Sequence, residues 1–363
     1  EHPDAASINL RHEPGLRTWA RYDDEQTELR FHFHHSCSDG IGAYRFIDDV
    51  LCLYHNRVTP DEAVTLRPVR PELLKQRTRM GRTWWRYLLR LPLTLIAVVA
   101  SPLEFKLAPP RELQLPTFKR PEDGDLRTVV DMPAEKLGKE EVSRLAKAAK
   151  AQGVSLNDLL MRDTMVALKA WNERVSGEPF RGRLGLVVPF NLRSAEDDEQ
   201  TVTNIVGMAP INVSAKQIDN PAGLLRFIAI VMRYYKRFQL AIEFQSVITV
   251  LERFFGSLNT FVGPNHCSAT ATFSNVGRVF SDSPLPRIDD RLRAGNLTLA
   301  VVESAPPIRP HTWVSFTTLS YLGDLTVIAN YDRLAMSHDT AHEIVKCVVK
   351  QLRTSAAVGG SAS

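Results

Sequence analysis

The stretch "LRFHFHHSCSDGIGAYRFIDDVL", residues 29–51, sets three histidines within four positions, follows them with Asp39 and Gly40, and then takes up the spacing of an amphipathic helix. Residues 28–35 alternate apolar and polar side chains as a strand does. Residues 42–55 bring Tyr44, Ile47, Leu51 and Tyr54 to one helical face. The histidines therefore stand at a strand end just before a helix, where Gly40 and Gly42 permit a tight turn. On a strand, His32 and His34 share one face and His35 takes the other, so the three do not converge. This argues against zinc, whose ligands meet at about 2.1 Å and usually come from several places in a chain, and no metal is expected. A histidine at a strand end facing a cavity suits proton abstraction, because its ordinary pKa of about 6.5 leaves it largely neutral at physiological pH. Asp39 has two readings from local chemistry, a cap for the following helix or a partner in an active turn.

Outward from this stretch the chain alternates strands and helices without internal repeats. Residues 56–74 read as irregular, broken by Pro60, Pro68 and Pro71. Residues 104–122, rich in proline and charge, read as a linker or crossover. Residues 127–133 read as a strand, and residues 134–153 as a helix closed by Gly153. Ser155 and Asp158 are spaced as a capping box for a second helix. Residues 183–193 read as a buried strand followed by the acidic loop "EDDEQ", and Asn220-Pro221 as an N-cap and first-turn pair for a long helix. Toward the end come a strand at residues 267–277, a hairpin turning at Gly323-Asp324, a capped helix at residues 337–352 and a tail at residues 356–363 whose composition predicts disorder.

At 363 residues with 44% hydrophobic content, the chain can hold two ordinary domains with a sizeable core. Its 45 basic and 41 acidic residues leave a net charge of +4, too mild a bias to point to nucleic acid. Cys37, Cys52, Cys267 and Cys347 form no CxxC pair and no disulfide-scaffold density, which predicts free thiols in a reducing compartment. The opening "EHPD" is polar with no apolar run behind it, so a cytoplasmic location is expected, and the missing initiator Met suggests processing or a fragment. Residues 75–90 carry six Lys or Arg and no acid, and run into the apolar "LPLTLIAVVA". That run is shorter than the about 20 residues of a membrane span. Residues 75–105 have two readings, a peripheral membrane contact or a basic surface helix followed by a core segment.

"HHSCSDG", residues 34–40, resembles the HHxxxDG motif of an acyltransferase superfamily. It includes chloramphenicol acetyltransferases, nonribosomal peptide condensation domains, polyketide-associated acyltransferases and bacterial wax ester synthase/diacylglycerol acyltransferases. "VSLNDLL" at residues 154–160 is similar to the Asn-Asp helix start of the wax-synthase branch, "PFNLR" at residues 189–193 to its Pro-x-x-Leu-Arg strand end, and "FSNVG" at residues 273–277 to the Ser-Asn-x-Gly segment of condensation-like enzymes. "YLGDLTVIANYD" looks like that family's closing hairpin.

The resemblance implies an α+β fold of two chloramphenicol acetyltransferase-like α/β sandwich halves with an active-site channel between them. The halves are expected at residues 1–122 and 123–355. Family members carry a longer segment before the motif than the 33 residues that precede His34 here, so the first half is expected to be incomplete and the chain N-terminally truncated. The resemblance further implies that His35 is the general base, deprotonating an alcohol or amine that attacks an acyl thioester, with His34 in support. It implies that Asp39 is structural and pairs with an arginine, Arg193 before Arg278. Gly40 would allow the turn beneath the base, and Ser274, Asn275 and Arg193 would line the substrate channel. Cys37 lies inside the motif, but no motif partner supports it as a nucleophile. No cofactor is implied beyond acyl-CoA or an acyl carrier protein as donor substrate. The alternatives are a free-standing condensation domain forming an amide or ester, and a non-catalytic relative that binds an acyl ligand or partner protein.

Overall fold

The computed structural model describes residues 7–76, 92, 107–118, 132–193, 203–242, 267–308 and 311–360. Chain order begins with an antiparallel hairpin, β1 (Leu16–Tyr22) and β2 (Thr27–Phe33), and the helix α1 (Gly40–Val58). It continues with β3 (Ala134–Leu137), α2 (Lys139–Ala151), α3 (Leu156–Ser176), β4 (Arg183–Asn191), β5 (Val206–Ser214), α4 (Ala215–Ile218) and α5 (Pro221–Phe238). The last part holds β6 (Ala271–Arg278), the short strands β7 (Arg287–Ile288), β8 (Arg291–Ala294) and β9 (Leu297–Thr298), then β10 (Val314–Tyr321), β11 (Asp324–Tyr331) and α6 (His338–Gly360).

A six-stranded mixed sheet in the order β3-β11-β10-β6-β4-β5 forms the centre of this α/β architecture. Strand alternation assigns its two faces. Val314 and Phe316 of β10 with Leu325, Val327 and Ala329 of β11 join the core made with α2, α3, α5 and α6. Leu319 and Tyr321 with Ile328 face the other way, into a second core made with Leu51 and Cys52 of α1 and Leu292 of β8. Tyr44, Ile47 and Tyr54 pack against this second core, so the face read from the helical spacing is the face that α1 buries. His55 pins the same contact: its Nδ1 accepts from the Gly295 N–H at 3.0 Å and its Nε2 lies 2.9 Å from the Glu62 carbonyl.

Several expectations meet their elements directly. Ser155 and Asp158 form a reciprocal capping box at the start of α3, Asn220 caps α5 with Pro221 in its first turn, and the hairpin from β10 to β11 forms, its turn on Leu322 and Gly323, both at positive φ, one residue before the expected Gly323-Asp324. Others do not. Residues 134–137 form a strand instead of the first turn of a helix, because Leu137, Lys136, Glu135 and Ala134 pair with Leu325 to Ile328 of β11. The rest of the predicted strand at residues 127–133 falls mostly outside the described residues, as do the acidic loop and nearly all of residues 75–105. The stretch expected as a tail continues α6 through Gly360, with Ala356 buried against the main core. Residues 107–118 of the expected linker lie on the second half: Leu113 is buried in its core, the Trp171 Nε1–H donates to Gln114 O at 2.8 Å, and the Arg111 N–H donates to Arg183 O at 2.8 Å.

Candidate active site

β2 ends at Phe33, so His34 and His35 sit on the turn that follows. Phe31 and Phe33 hold the strand onto α1 by edge contacts with Phe46, ring centroids 6.4 and 5.6 Å apart. Alternation then puts His32 on the opposite face, stacked beside Trp19. The His34 N–H donates to Gly15 O at 2.8 Å. The His34 ring folds back on its own turn, with Nδ1 accepting from the Ser36 N–H at 3.2 Å and lying 2.8 Å from Ser36 Oγ. Both contacts are local, and they fix the turn.

Asp39 both caps a helix and pairs with an arginine. Its Oδ1 accepts from the Gly42 N–H at 2.9 Å, which caps α1. Arg193, at the end of β4, grips the same carboxylate with two parallel bonds, Nη2 to Oδ1 and Nη1 to Oδ2, each 2.8 Å. The Ile205 N–H adds a fourth bond to Oδ2 at 2.8 Å, and the Asp39 N–H donates to Thr203 O at 3.2 Å. The Arg193 and Asp39 side chains are 1% and 6% exposed. Fork-to-carboxylate geometry in dry surroundings gives a strong and directional bond, here joining residues 154 positions apart. Arg193 also donates to Thr203 O at 2.9 Å, so both of its terminal nitrogens are committed to the turn.

Asn204 completes this clasp and had no signal in the sequence reading. Its Nδ2 donates to His35 O at 2.5 Å and lies 3.2 Å from His35 Nδ1. Among the described residues His35 Nε2 has no hydrogen-bond partner, and the residue is half-buried. The glycine required by packing is Gly42, where a Cβ would stand 2.7 Å from Thr203 O and 2.8 Å from Ser38 Oγ. A Cβ on Gly40 would meet nothing within 4 Å, so the turn does not depend on that glycine. Cys37 is half-buried against Gly15, where a Cβ would stand 2.4 Å from its Sγ.

Ser274 and Asn275 lie on β6. The Asn275 Nδ2 donates to Asn157 Oδ1 at 3.0 Å, which joins the two segments that carried the Asn-Asp and Ser-Asn-x-Gly resemblances. The β6–β10 register slips by one residue at this point, with Gly277 at φ 78° and its N–H donating to Asn275 Oδ1. A bulge of this kind redirects side chains at a strand end. Among the described residues no hydrogen bond links this pair to His35. Arg278 sits at the exposed end of β6.

No family model matches the chain, and no curated protein matches it. Solved structures do. The first condensation domain of the calcium-dependent antibiotic synthetase, in complex with a substrate analogue, superposes with a TM-score of 0.62 at 13% identity over 94% of this chain and 67% of that one. The epimerization domain from the third module of tyrocidine synthetase B gives 0.58 at 14% identity over 97% and 74%. Polyketide synthase associated protein 5 from Mycobacterium tuberculosis gives 0.57 at 14% identity over 98% and 80%. At these identities the likeness is one of fold.

Proposed function

We propose that this chain, which has the condensation-domain fold, is an acyltransferase that moves an acyl group from a thioester of coenzyme A or a carrier protein to an alcohol or amine. The observation that carries the reading is the clasp of Arg193, Thr203 and Asn204 on the turn of His34, His35 and Asp39. It fixes a histidine turn from residues more than 150 positions away in the chain and leaves Nε2 unpartnered among the described residues. In this reading His35 takes the proton of the attacking group as the tetrahedral intermediate forms, then returns it as the thiol leaves. Abstraction at Nε2 needs the tautomer with the ring proton on Nδ1. In that tautomer Asn204 keeps its bond to His35 O and gives up the Nδ1 contact. Arg193 and Asp39 would act by holding the turn, without touching substrate. Ser274 and Asn275 are the candidates for polarising the acyl carbonyl.

The test is release of free thiol from short and long acyl-CoAs and from an acylated carrier protein, each with and without alcohols, diacylglycerol or amines. Acceptor-dependent release that falls about 10²–10⁴-fold in His35→Ala is expected. Absence of release from folded protein across the panel, or equal release by the variant, would remove the reading. A folded chain without turnover that still bound an acyl ligand would instead fit the non-catalytic alternative.

A further inference from the structure

Helix α5 has two apolar faces with different fates. Leu224, Leu225, Ile228 and Met232 are buried against the main core, and Tyr235 stacks on Phe190 with ring centroids 5.6 Å apart. On the outer side Phe227, Ile230, Tyr234 and Phe238 are 36%, 51%, 54% and 43% exposed. Their spacings of three and four residues align them in one row along the helix. At a rise of 1.5 Å per residue the row is about 16 Å long. Arg226, Arg233 and Arg237, all exposed, are spaced by seven and four and form a second row along one flank of the first. The helix Pro221–Phe238 contains no Asp or Glu. An ordinary solvated helix face mixes charge signs and scatters its apolar side chains, and this one does neither.

We propose that this face of α5 docks on the surface of an anionic phospholipid bilayer, with the apolar row at the boundary of headgroups and acyl chains and the arginine row on the phosphates. Charge complementarity selects the partner, since three cations along one flank meet no acid on the helix. The apolar row offers rings and an aliphatic chain, and apart from the Tyr234 hydroxyl no polar group that could make directional bonds to a protein. Aromatic side chains bordered by arginine are the composition that settles at a membrane interface. Among the described residues no helix is long and apolar enough to cross a membrane, so the contact is made along the surface. The row is short, so binding depends on charge and weakens with salt. This inference does not depend on acyl transfer.

The experiment is flotation of the full chain with vesicles of phosphatidylcholine alone or mixed with phosphatidylserine, at about 0.15 M salt. Flotation with the mixed vesicles alone is expected. Each cation near an anionic surface contributes about fivefold to partitioning, so R226Q/R233Q should reduce it by roughly 25-fold. R226K/R233K keeps both charges and should stay near wild type, while I230N/Y234S should lose roughly tenfold by removing apolar contact. All three pairs change exposed side chains, and unchanged thermal unfolding verifies the fold of each. The proposal is overturned by absence of flotation, or by wild-type flotation of both R226Q/R233Q and I230N/Y234S. It is also overturned if only a poly-aspartate column retains wild type and releases R226Q/R233Q, which would assign the face to an acidic protein.

Discussion

Removing the Asp39 carboxylate would leave Arg193, 1% exposed, with a buried charge and no counter-ion, at a cost of about 3–5 kcal/mol. Asp39→Ala and Arg193→Ala should therefore each lower the midpoint of urea unfolding substantially, and the double variant should lose less than the sum of the two. Strict additivity would mean that the pair is not a unit. Two neighbouring glycines should part company in the same assay. Gly42→Ala drives a methyl into the Thr203 carbonyl and should cost about 1–3 kcal/mol, whereas Gly40→Ala, with open space around it, should change stability by less than about 1 kcal/mol. The motif letters directed attention to Gly40, yet the need at Gly42 is set by a backbone more than a hundred residues away. Asn204 was illegible for the same reason: an asparagine before an apolar strand carries no local sign that it will grip the carbonyl of His35. Asp39 and Arg193 were legible because a recognised motif supplied one partner and a recognised strand end the other.

Elements were readable where local and tertiary preferences agree, as in the capping box of α3 and the Asn220-Pro221 start of α5, and misread where they conflict. "AEKL" has the composition of a helix start, and pairing with β11 overrides it. The strap at residues 107–118 was misread because proline and charge mark exposed linkers, and two apolar anchors, Leu113 and Leu115, escape such a rule. Leu113→Ala should destabilise the protein by about 2–5 kcal/mol, where a true linker would show no change in denaturant midpoint. The α3–α6 contact makes a pH prediction. Burial pushes the Asp163 carboxyl up from 3.8 to about 6, more strongly than Arg162 pulls it down. Below pH 3.8 the group is protonated folded and unfolded alike, and it carries no penalty. Between pH 3.8 and about 6 the unfolded chain ionises this carboxyl while the folded state keeps it protonated, so stability falls across that window and levels off above it, where both states are ionised. Relative to Asp163→Asn, the wild type should lose about 3 kcal/mol between about pH 4 and pH 7. A constant difference across that range would exclude Asp163 as the group responsible.

Across the whole molecule, both faces of one sheet are covered, one by helices of the second half and the other by α1 and the β7–β9 excursion. That α1 lies on the six-stranded sheet was not legible in the sequence, because α1 carries a helical period but no mark of its partner. One consequence concerns the thiols. Burial pushes Cys52 and Cys267 up to about 12, so at pH 8 both should be inert to Ellman reagent in the folded protein and react on unfolding. Rapid reaction of either thiol in the native state would contradict the packing around it.

The clasp on Asp39 also has a history in time. Synthesis delivers the histidine turn when Arg193 and Thr203 do not yet exist, and the partners then at hand are near in sequence, among them Gly15 O, Ser36 and the Gly42 N–H. Closing a contact across 154 residues is entropically expensive and comes late in folding. A growing chain would thus display the motif and lack the site, acquiring it only when the second half arrives and locks the first.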